Sequence, residues 1–521
     1  MPSNSSSLQS SVISWIKSVV WFLFPVHLYE LKKILPMLLM LFCILFNYTV
    51  MRDTKDGLVV PQCGAEAVPF LKIFAVLPIA ILYMVVYSML SNKMNKETLF
   101  YTALSPFIVF FALFPTVIYP NREFLELNTL AEFMRGVLPQ GFYGFILAIE
   151  HWHFATFYVM AELWGSVAIS LLFWGFANEI TKTSEAKRFY TIFGMGANVA
   201  LIFSGWFVIW ANSRGQFQDS LNYMMSIIIA LSVMTIATYY WMNRRILTDS
   251  RFYNASESCA AKKGKKSKPK LGLFESFGFL SKSTAICCIA VLVLSYGIGI
   301  NLVEVTWKSQ VKLQYPDSQS YTRFMGGFST VAGCVTMPMY FIGGYIIRRF
   351  GWMTAAMFTP IMLFITGLLF FTFMIFSESS APLAEMMGTT PLMLAVIFGA
   401  MQNIVSKATK YSLFDPTKEM AYIPLDQESK VKGKAAIDVV GARLGKSSGA
   451  LINMLLIITF GSIAAVTSYL LVMLTVVLLA WMASVKTLGG ILTTMPSEDN
   501  SQDTEDKKSV GVSEEKAVPA S

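Results

Sequence analysis

Residues 449–485, GALINMLLIITFGSIAAVTSYLLVMLTVVLLAWMASV, decide the fold, because this stretch contains no charged residue over 37 positions. A helix crosses the ~30 Å hydrocarbon core of a bilayer with about 20 apolar residues. The stretch is therefore too long for a single crossing, and we expect it to break at Gly461-Ser462 into two helices. It predicts a protein that spans a membrane in helical form, since helices satisfy their own backbone hydrogen bonds in lipid.

The composition of the whole chain agrees with this prediction. Of its 521 residues, 55% are hydrophobic and only 14% are charged, whereas soluble domains carry about 25% charged residues. Lysine and arginine number 41 against 32 acidic residues, a net charge of +9. That excess alone would suggest a nucleic-acid partner. In so apolar a chain it indicates basic cytoplasmic loops instead, and we expect no nucleic-acid binding.

Twelve apolar segments are long enough to be transmembrane spans. They are Ile34–Met51, Val68–Leu90, Leu99–Tyr119, Phe154–Phe176, Phe189–Trp210, Met224–Met242, Ala285–Val305, Gly326–Ile347, Thr354–Phe376, Pro391–Lys410, Ala436–Phe460 and Ile463–Val485. If both termini are cytoplasmic, the inner loops hold 23 basic residues and the outer loops hold eight. This asymmetry predicts a multi-pass protein with both ends in the cytoplasm, because lysine and arginine resist translocation.

The order of the segments predicts two halves of six helices each. We expect five regions: an N-terminal tail with an interfacial helix at 1–33, a first half at 34–245, a basic cytoplasmic linker at 246–284, a second half at 285–487 and a disordered acidic tail at 488–521. Six-helix repeats are a common plan of secondary transporters, which bind substrate near the bilayer midplane. The lipid bilayer is thus an expected partner.

Charged residues inside spans are costly and usually face a cavity or a partner. The candidates that we select in the first half are Glu162, inside the fourth span, and Lys55, just beyond the end of the first. Lys55 could point into the bundle if its helix continues; otherwise Arg52 and Lys55 would pair with neighbouring aspartates at the outer edge. Glu162 begins a small polar stripe, which could line a cavity or serve only for helix packing.

The second half repeats this pattern. Asn301 and Glu304 share a face of the seventh span, and Lys308 follows one turn later as a possible local ion-pair partner of Glu304. Asp438, Arg443 and Lys446 lie in the eleventh span. Basic groups without partners in a cavity favour a compact polyanion such as a phosphate chain.

Sequence motifs for other chemistry are missing. GARLGKS at 441–447 has three residues between its glycines, whereas a P-loop has four, and no strand precedes it. His151 and His153 are two residues apart and point to different sides of a helix, and the cysteines form no paired metal motif. We therefore expect no enzymatic activity, no metal and no cofactor.

Several stretches resemble the ATP/ADP translocases, the nucleotide transporter family of plastids and obligate intracellular bacteria. They are MRDTKD at 51–56, MAELWGS at 160–166, FWGFAN at 173–178, EAKRFY at 185–190, GANVA at 196–200, NLVEVTWK at 301–308, DPTKE at 415–419 and LGKS at 444–447. The resemblance extends from the first span to the eleventh and leaves out the tails and the basic linker.

The resemblance implies an all-α, major-facilitator-like fold and exchange of ATP for ADP, with or without accompanying inorganic phosphate. The residues critical in that family correspond here to Lys55, Glu162, Glu304 and Lys446. Further candidates for substrate binding are Arg52, Asn198, Asn301, Asp438 and Arg443, and the candidates for stacking on adenine are Tyr158, Trp164 and Tyr296.

We therefore expect an ATP/ADP antiporter of a bacterial inner membrane that works by alternating access. The lysines would bind the nucleotide phosphates in a central cavity, and the glutamates would contact the adenosine end or pair with the lysines when the site is empty. One alternative is a proton-coupled importer or exchanger of other nucleotides on the same fold. A membrane scaffold without transport is a second alternative.

Overall fold

The computed structural model describes residues 29–181, 183–249, 283–425, 437 and 442–494. All regular elements in these ranges are helices, so the predicted all-α class is confirmed there. We label them α1 (Leu31–Cys63), α2 (Ala67–Ser91), α3 (Lys96–Ile118), α4 (Arg122–Leu125), α5 (Asn128–Val137), α6 (Tyr143–Glu150), α7 (Trp152–Ile180), α8 (Thr183–Ala211), α9 (Phe217–Arg245), α10 (Thr284–Gln314), α11 (Ser318–Ile375), α12 (Ala381–Met386), α13 (Pro391–Ala421), α14 (Ala442–Phe460) and α15 (Ile463–Thr494).

Ten of the helices in the described part of the chain are long and apolar enough to cross a membrane. One of them, α11, consists of two arms joined at Gly351, whose φ of 79° and ψ of 175° are not helical. The arms correspond to two separate predicted spans. The helix α14 is apolar but shorter, and Gly461, with a φ of 88°, separates it from α15 as expected. The total of twelve spans stays a prediction.

Several helices continue beyond the apolar segments that predicted them. The first predicted span ends at Met51, but α1 continues to Cys63. The seventh ends at Val305, whereas α10 reaches Gln314. Similarly, α15 extends to Thr494, so residues 488–494 are helical rather than part of a disordered tail. Charged and polar residues continue these helices because the helix satisfies the backbone by itself and leaves side chains to find partners.

The contacts divide the chain into two compact units. Unit 1 consists of residues 1–268, 305–337 and 454–465, and unit 2 of residues 269–304, 338–453 and 466–521, each as far as it is described. Four of the five boundaries between these ranges fall within α10, α11, α14 and α15, and the fifth lies between residues 268 and 269. The predicted division at the basic linker is a different grouping, based on sequence order, and stays a prediction.

Unit 1 is built around α1, which packs against α7, α8 and α9. Close approach between helices depends on glycine. A Cβ atom on Gly205 of α8 would lie 2.5 Å from the Gly326 carbonyl oxygen of α11, so only glycine fits at residue 205. By contrast, α2 turns large apolar side chains such as Leu82 and Met89 outward, as expected of a surface in contact with lipid.

Unit 2 has its own aromatic core. The ring of Tyr296 on α10 stacks on Phe414 of α13, with centroids 5.3 Å apart, and both rings contact Trp481 of α15 edge-on. The Trp352 indole donates a hydrogen bond to the Thr417 carbonyl at 2.8 Å. Aromatic pairs in these geometries add to the stabilisation from burial alone.

Three predicted regions fall largely or partly beyond the described residues. The interfacial helix expected within 1–33 is described only from residue 29, and the basic linker only at its two ends. The acidic tail is described no further than residue 494.

Candidate functional site

Lys55 is the centre of a buried charge cluster in unit 1. Its side chain is 4% exposed, and its Nζ lies 3.0 Å from Asp56 Oδ1 and 3.0 Å from Glu162 Oε1. The same ammonium lies 3.9 Å from the centroid of the Tyr158 ring, close enough for a cation–π interaction. The structure thus brings together Lys55 of α1 and Glu162 of α7, which are 107 positions apart in sequence.

The cluster continues to a second lysine that the sequence analysis did not select as a site residue. Lys308 of α10 places its Nζ 2.8 Å from Asp56 Oδ2, and both side chains are 2% exposed. Spacing along α10 pointed only to Glu304 as a partner for Lys308. The pair with Asp56 joins residues 252 positions apart, a relation that no periodicity in the sequence could reveal.

The four charged residues of this cluster form a chain of contacts in which acidic and basic groups alternate. In order they are Glu162, Lys55, Asp56 and Lys308, and their formal charges sum to zero. Lys55 thus has two carboxylate partners, and its pair with Glu162 is one of the two roles that the sequence predicts for that glutamate. Glu162 is the accessible end of this chain of charges, at 32% exposed, whereas Asp56 is buried.

Arg52 pairs with the neighbouring aspartate, as one of the two alternatives predicts. Arg52 Nη2 lies 3.3 Å from Asp53 Oδ1 and donates a hydrogen bond to the Ser329 hydroxyl at 2.8 Å. That hydroxyl donates to Asp53 Oδ2 at 2.7 Å. Arg52 and Asp53 are thus bound to α11 within unit 1. Both neighbour pairs of that alternative are present, Arg52 with Asp53 and Lys55 with Asp56, and whether they lie at the membrane edge stays a prediction.

Two of the second-half candidates, Asn301 and Lys446, lie where α10 packs against α14 in unit 2. A Cβ atom on Gly297 would lie 2.9 Å from the Lys446 amide nitrogen, so the two backbones are nearly in contact. One turn along, the Asn453 side chain donates to the Asn301 carbonyl at 3.0 Å, and the Asn301 side chain donates to Gly297. Lys446 is exposed and Glu304 is half-buried. Asn453 was not selected from the sequence.

The other predicted residues differ in their surroundings. Asn198 is buried and donates to the Gly194 carbonyl of its own helix at 2.9 Å. Asp438 and the side chain of Arg443 lie outside what the structure describes. Their predicted roles are therefore untested.

The three candidates for adenine stacking are all buried. The Trp164 indole donates to the Ile44 carbonyl at 3.1 Å, Tyr158 lies under the ammonium of Lys55, and Tyr296 is part of the aromatic core of unit 2. Stacking on a base would require another arrangement of their neighbours, and their role stays a prediction.

Comparison with known proteins identifies the kind of protein that carries this site. A family model described as TLC ATP/ADP transporter matches residues 10–491. The chain belongs to this family. The protein is therefore a multi-pass membrane transporter and not an enzyme, as the sequence predicts.

Two relatives that are named as ADP,ATP carriers match the chain over most of their length. The chain is 56% identical over 474 residues to ADP,ATP carrier protein 1 of Chlamydia trachomatis, with 89% of each chain covered. It is 49% identical over 487 residues to the chloroplastic ADP,ATP carrier protein 1 of Arabidopsis thaliana, with 92% of this chain and 76% of the relative covered.

A solved structure supports the fold of the transporter. The crystal structure of a D-xylose-proton symporter matches with a TM-score of 0.54 and 13% identity, covering 88% of this chain and 97% of the symporter. At that identity the likeness concerns the fold alone, and it confirms the major-facilitator-like architecture expected from the resemblance.

Proposed function

We propose that the transporter exchanges ATP for ADP across a bacterial inner membrane, with both termini in the cytoplasm. Family membership and relatives named as ADP,ATP carriers support this substrate pair. The excess of basic residues in the predicted inner loops supports the orientation. In an intracellular bacterium the exchange would import ATP and export ADP.

The observation that carries the proposal is the buried lysine between two carboxylates. A lysine ammonium is a compact charge suited to phosphate oxygens, and Lys55 is held at 3.0 Å by Glu162, the more exposed of its two acidic partners. A nucleotide phosphate that displaces Glu162 gives Lys55 a new partner and frees one carboxylate. In the proposed mechanism that carboxylate then accepts a hydrogen bond from the exocyclic amine of adenine.

Lys446 is the proposed second phosphate ligand. Its exposed side chain stands on α14, where Gly297 and Gly445 permit α10 to approach closely. Arg443, three residues earlier in the sequence, would provide bidentate contacts to phosphate. Glu304 would act toward these cations as Glu162 acts toward Lys55, by pairing with them when no nucleotide is bound.

Counter-exchange in liposomes tests this proposal. The purified protein is reconstituted with ADP inside, and uptake of labelled ATP is measured for the wild type, Lys446→Gln and Lys486→Gln. Lys486 is also exposed, on α15, and serves as the matched control. We expect Lys446→Gln to lose at least about 90% of uptake and Lys486→Gln to retain it. Equal uptake by all three proteins would contradict the phosphate role of Lys446.

The same liposomes distinguish the alternative substrates and driving forces. A panel of external ATP, ADP, GTP and UTP, each with and without inorganic phosphate, defines what is carried. Uptake that ignores internal nucleotide and stops when a proton gradient is collapsed would indicate proton-coupled import. Absence of any counter-exchange by the wild type would refute the proposed function.

A further inference from the structure

Asp56 binds two lysines that come from distant parts of the sequence. Its Oδ1 lies 3.0 Å from Lys55 Nζ and its Oδ2 lies 2.8 Å from Lys308 Nζ. All three side chains are at least 96% buried. Each oxygen of the carboxylate thus has its own cation, which is how a buried carboxylate can remain ionised.

The pair between Asp56 and Lys308 joins α1, before the basic linker, to α10, after it. Two further contacts join α1 to α11 in the same unit. Ser329 is hydrogen-bonded to both Arg52 and Asp53, and a Cβ atom on Gly57 would lie 1.8 Å from Thr322 Oγ1. We call the set Arg52, Asp53, Asp56, Lys308 and Ser329 the junction, because it connects the two halves of the sequence within unit 1.

Separation of α10 from α1 in the empty protein would break the buried ion pair between Asp56 and Lys308. Lys308 would lose the carboxylate of Asp56, and Asp56 would lose one of the two lysines that it contacts. Removing one partner of a buried ion pair is strongly unfavourable, since the remaining charge is poorly solvated. A polyphosphate bound at Lys55 changes this balance, because its oxygens offer Lys308 a replacement anion. The junction would then open readily only with substrate in the site.

We propose that the junction makes exchange obligatory in this transporter. Asp56 is a positioning residue that holds Lys55 in the substrate site, and Lys308 passes from Asp56 to a substrate phosphate as α10 and α1 separate. This inference rests on the proposed nucleotide exchange and adds to it the residue pair that couples substrate to the conformational step. A ligand shifts the equilibrium between the closed and the open junction only by the difference between its affinities for these two states. Lys308 provides that difference, because it contacts the substrate phosphate once α10 and α1 have separated.

The decisive variant removes both charges of the pair. Asp56→Asn with Lys308→Met keeps the charge sum of the cluster at zero and leaves Lys55 paired with Glu162. Labelled ATP uptake is measured in liposomes with and without internal ADP. We expect uptake into liposomes without nucleotide to rise at least about tenfold above the wild type, because opening no longer needs a replacement anion. Strict dependence on internal nucleotide in this variant would overturn the inference.

A matched control distinguishes coupling from a general effect of removing a buried ion pair. Lys33 Nζ and Glu185 Oε2 lie 2.7 Å apart, with Lys33 1% exposed, and this pair joins α1 to α8, both before the basic linker. Lys33→Met with Glu185→Gln should stay dependent on internal ADP. If ATP uptake into liposomes without nucleotide rises as much in this control as in the junction variant, the junction has no special role.

Ser329→Ala provides a second test that preserves every charge. It removes the hydroxyl that links α11 to Arg52 and Asp53, so we expect uptake into empty liposomes to rise about threefold. This variant decides the question if the double variant fails to fold, and fully coupled uptake by Ser329→Ala would then overturn the inference. Wild-type liposomes separate the two proposals: no exchange by the wild type refutes the proposed function, whereas normal wild-type exchange with coupled variants refutes only the role of the junction.

Discussion

Replacing Gly297 with alanine tests whether close helix packing holds Lys446 in place. A Cβ atom at residue 297 would lie 2.7 Å from the Gly445 carbonyl carbon and 2.9 Å from the Lys446 amide nitrogen. Both neighbours are backbone atoms, so rotation of a side chain cannot relieve the overlap. Because ordinary contacts of Cβ atoms begin at 3.4 Å, α10 and α14 would have to separate by about 0.7 Å in a densely packed interior.

The size of the effect follows from a comparison with Gly299 on the same helix. A Cβ atom on Gly299 would meet only Leu474 Cδ1, at 3.5 Å, which is an ordinary contact. Both alanine variants gain about 0.8–1 kcal/mol of helix propensity, and this gain cancels in their difference. Overpacking costs about 1–3 kcal/mol, so Gly297→Ala should be less stable than Gly299→Ala by that amount, or about 5- to 150-fold in the unfolding equilibrium.

The assay combines denaturant unfolding in detergent with ATP/ADP exchange in liposomes. We expect Gly297→Ala to show the lower free energy of unfolding, and its exchange rate to fall about tenfold below that of Gly299→Ala because Lys446 moves with α14. Equal stability and equal exchange in the two variants would refute the reasoning that this contact positions Lys446.

Three further predictions concern other charged groups. Glu30 and Arg188 form a bidentate pair, with nitrogen–oxygen distances of 2.7 and 3.0 Å. Each single variant, Glu30→Gln or Arg188→Met, should lose about 3–5 kcal/mol of unfolding free energy, and the double variant should lose less. Losses that add in denaturant unfolding would contradict this. Partial burial opposes ionisation of Asp317, between α10 and α11, but hydrogen bonds from Ser320 outweigh it and hold the pKa of Asp317 below its usual range. The stability that ionised Asp317 gives the fold is therefore complete above about pH 4 and is lost as the pH falls through the lowered pKa. The unfolding temperature of Ser320→Ala should then fall less steeply below pH 4 than that of the wild type. Parallel plots of unfolding temperature against pH for the two proteins would count against this. Lys55→Gln should lower exchange about a hundredfold while remaining folded, and wild-type exchange rates in the same liposomes would exclude Lys55 from the site.

Hydropathy predicted where the helices are because the bilayer imposes a minimum apolar length on each crossing. It also predicted the break at Gly461, where a positive φ suits glycine. It did not predict helix ends. The first helix continues to Cys63 because Asp53, Lys55 and Asp56 find partners on other helices, and hydropathy scores them only as charges that should lie outside the membrane.

The candidate site was predictable in part. An isolated lysine and an isolated glutamate in apolar surroundings each signalled a cavity or a partner, and the structure brings Lys55 and Glu162 to 3.0 Å. Lys308 was assigned to a neighbour on its own helix because spacing rules concern residues three or four apart. Its contact with Asp56 depends on how α10 packs against α1, which a single sequence does not encode in any local pattern.

The stoichiometry of exchange tests the central claim most directly. Liposomes that contain the wild-type protein are loaded with ADP carrying one label and exposed to ATP carrying another, and both fluxes are measured together. The proposed function predicts that one ADP leaves for each ATP that enters, and that no ATP enters liposomes without internal nucleotide. Entry of ATP without release of ADP would contradict it.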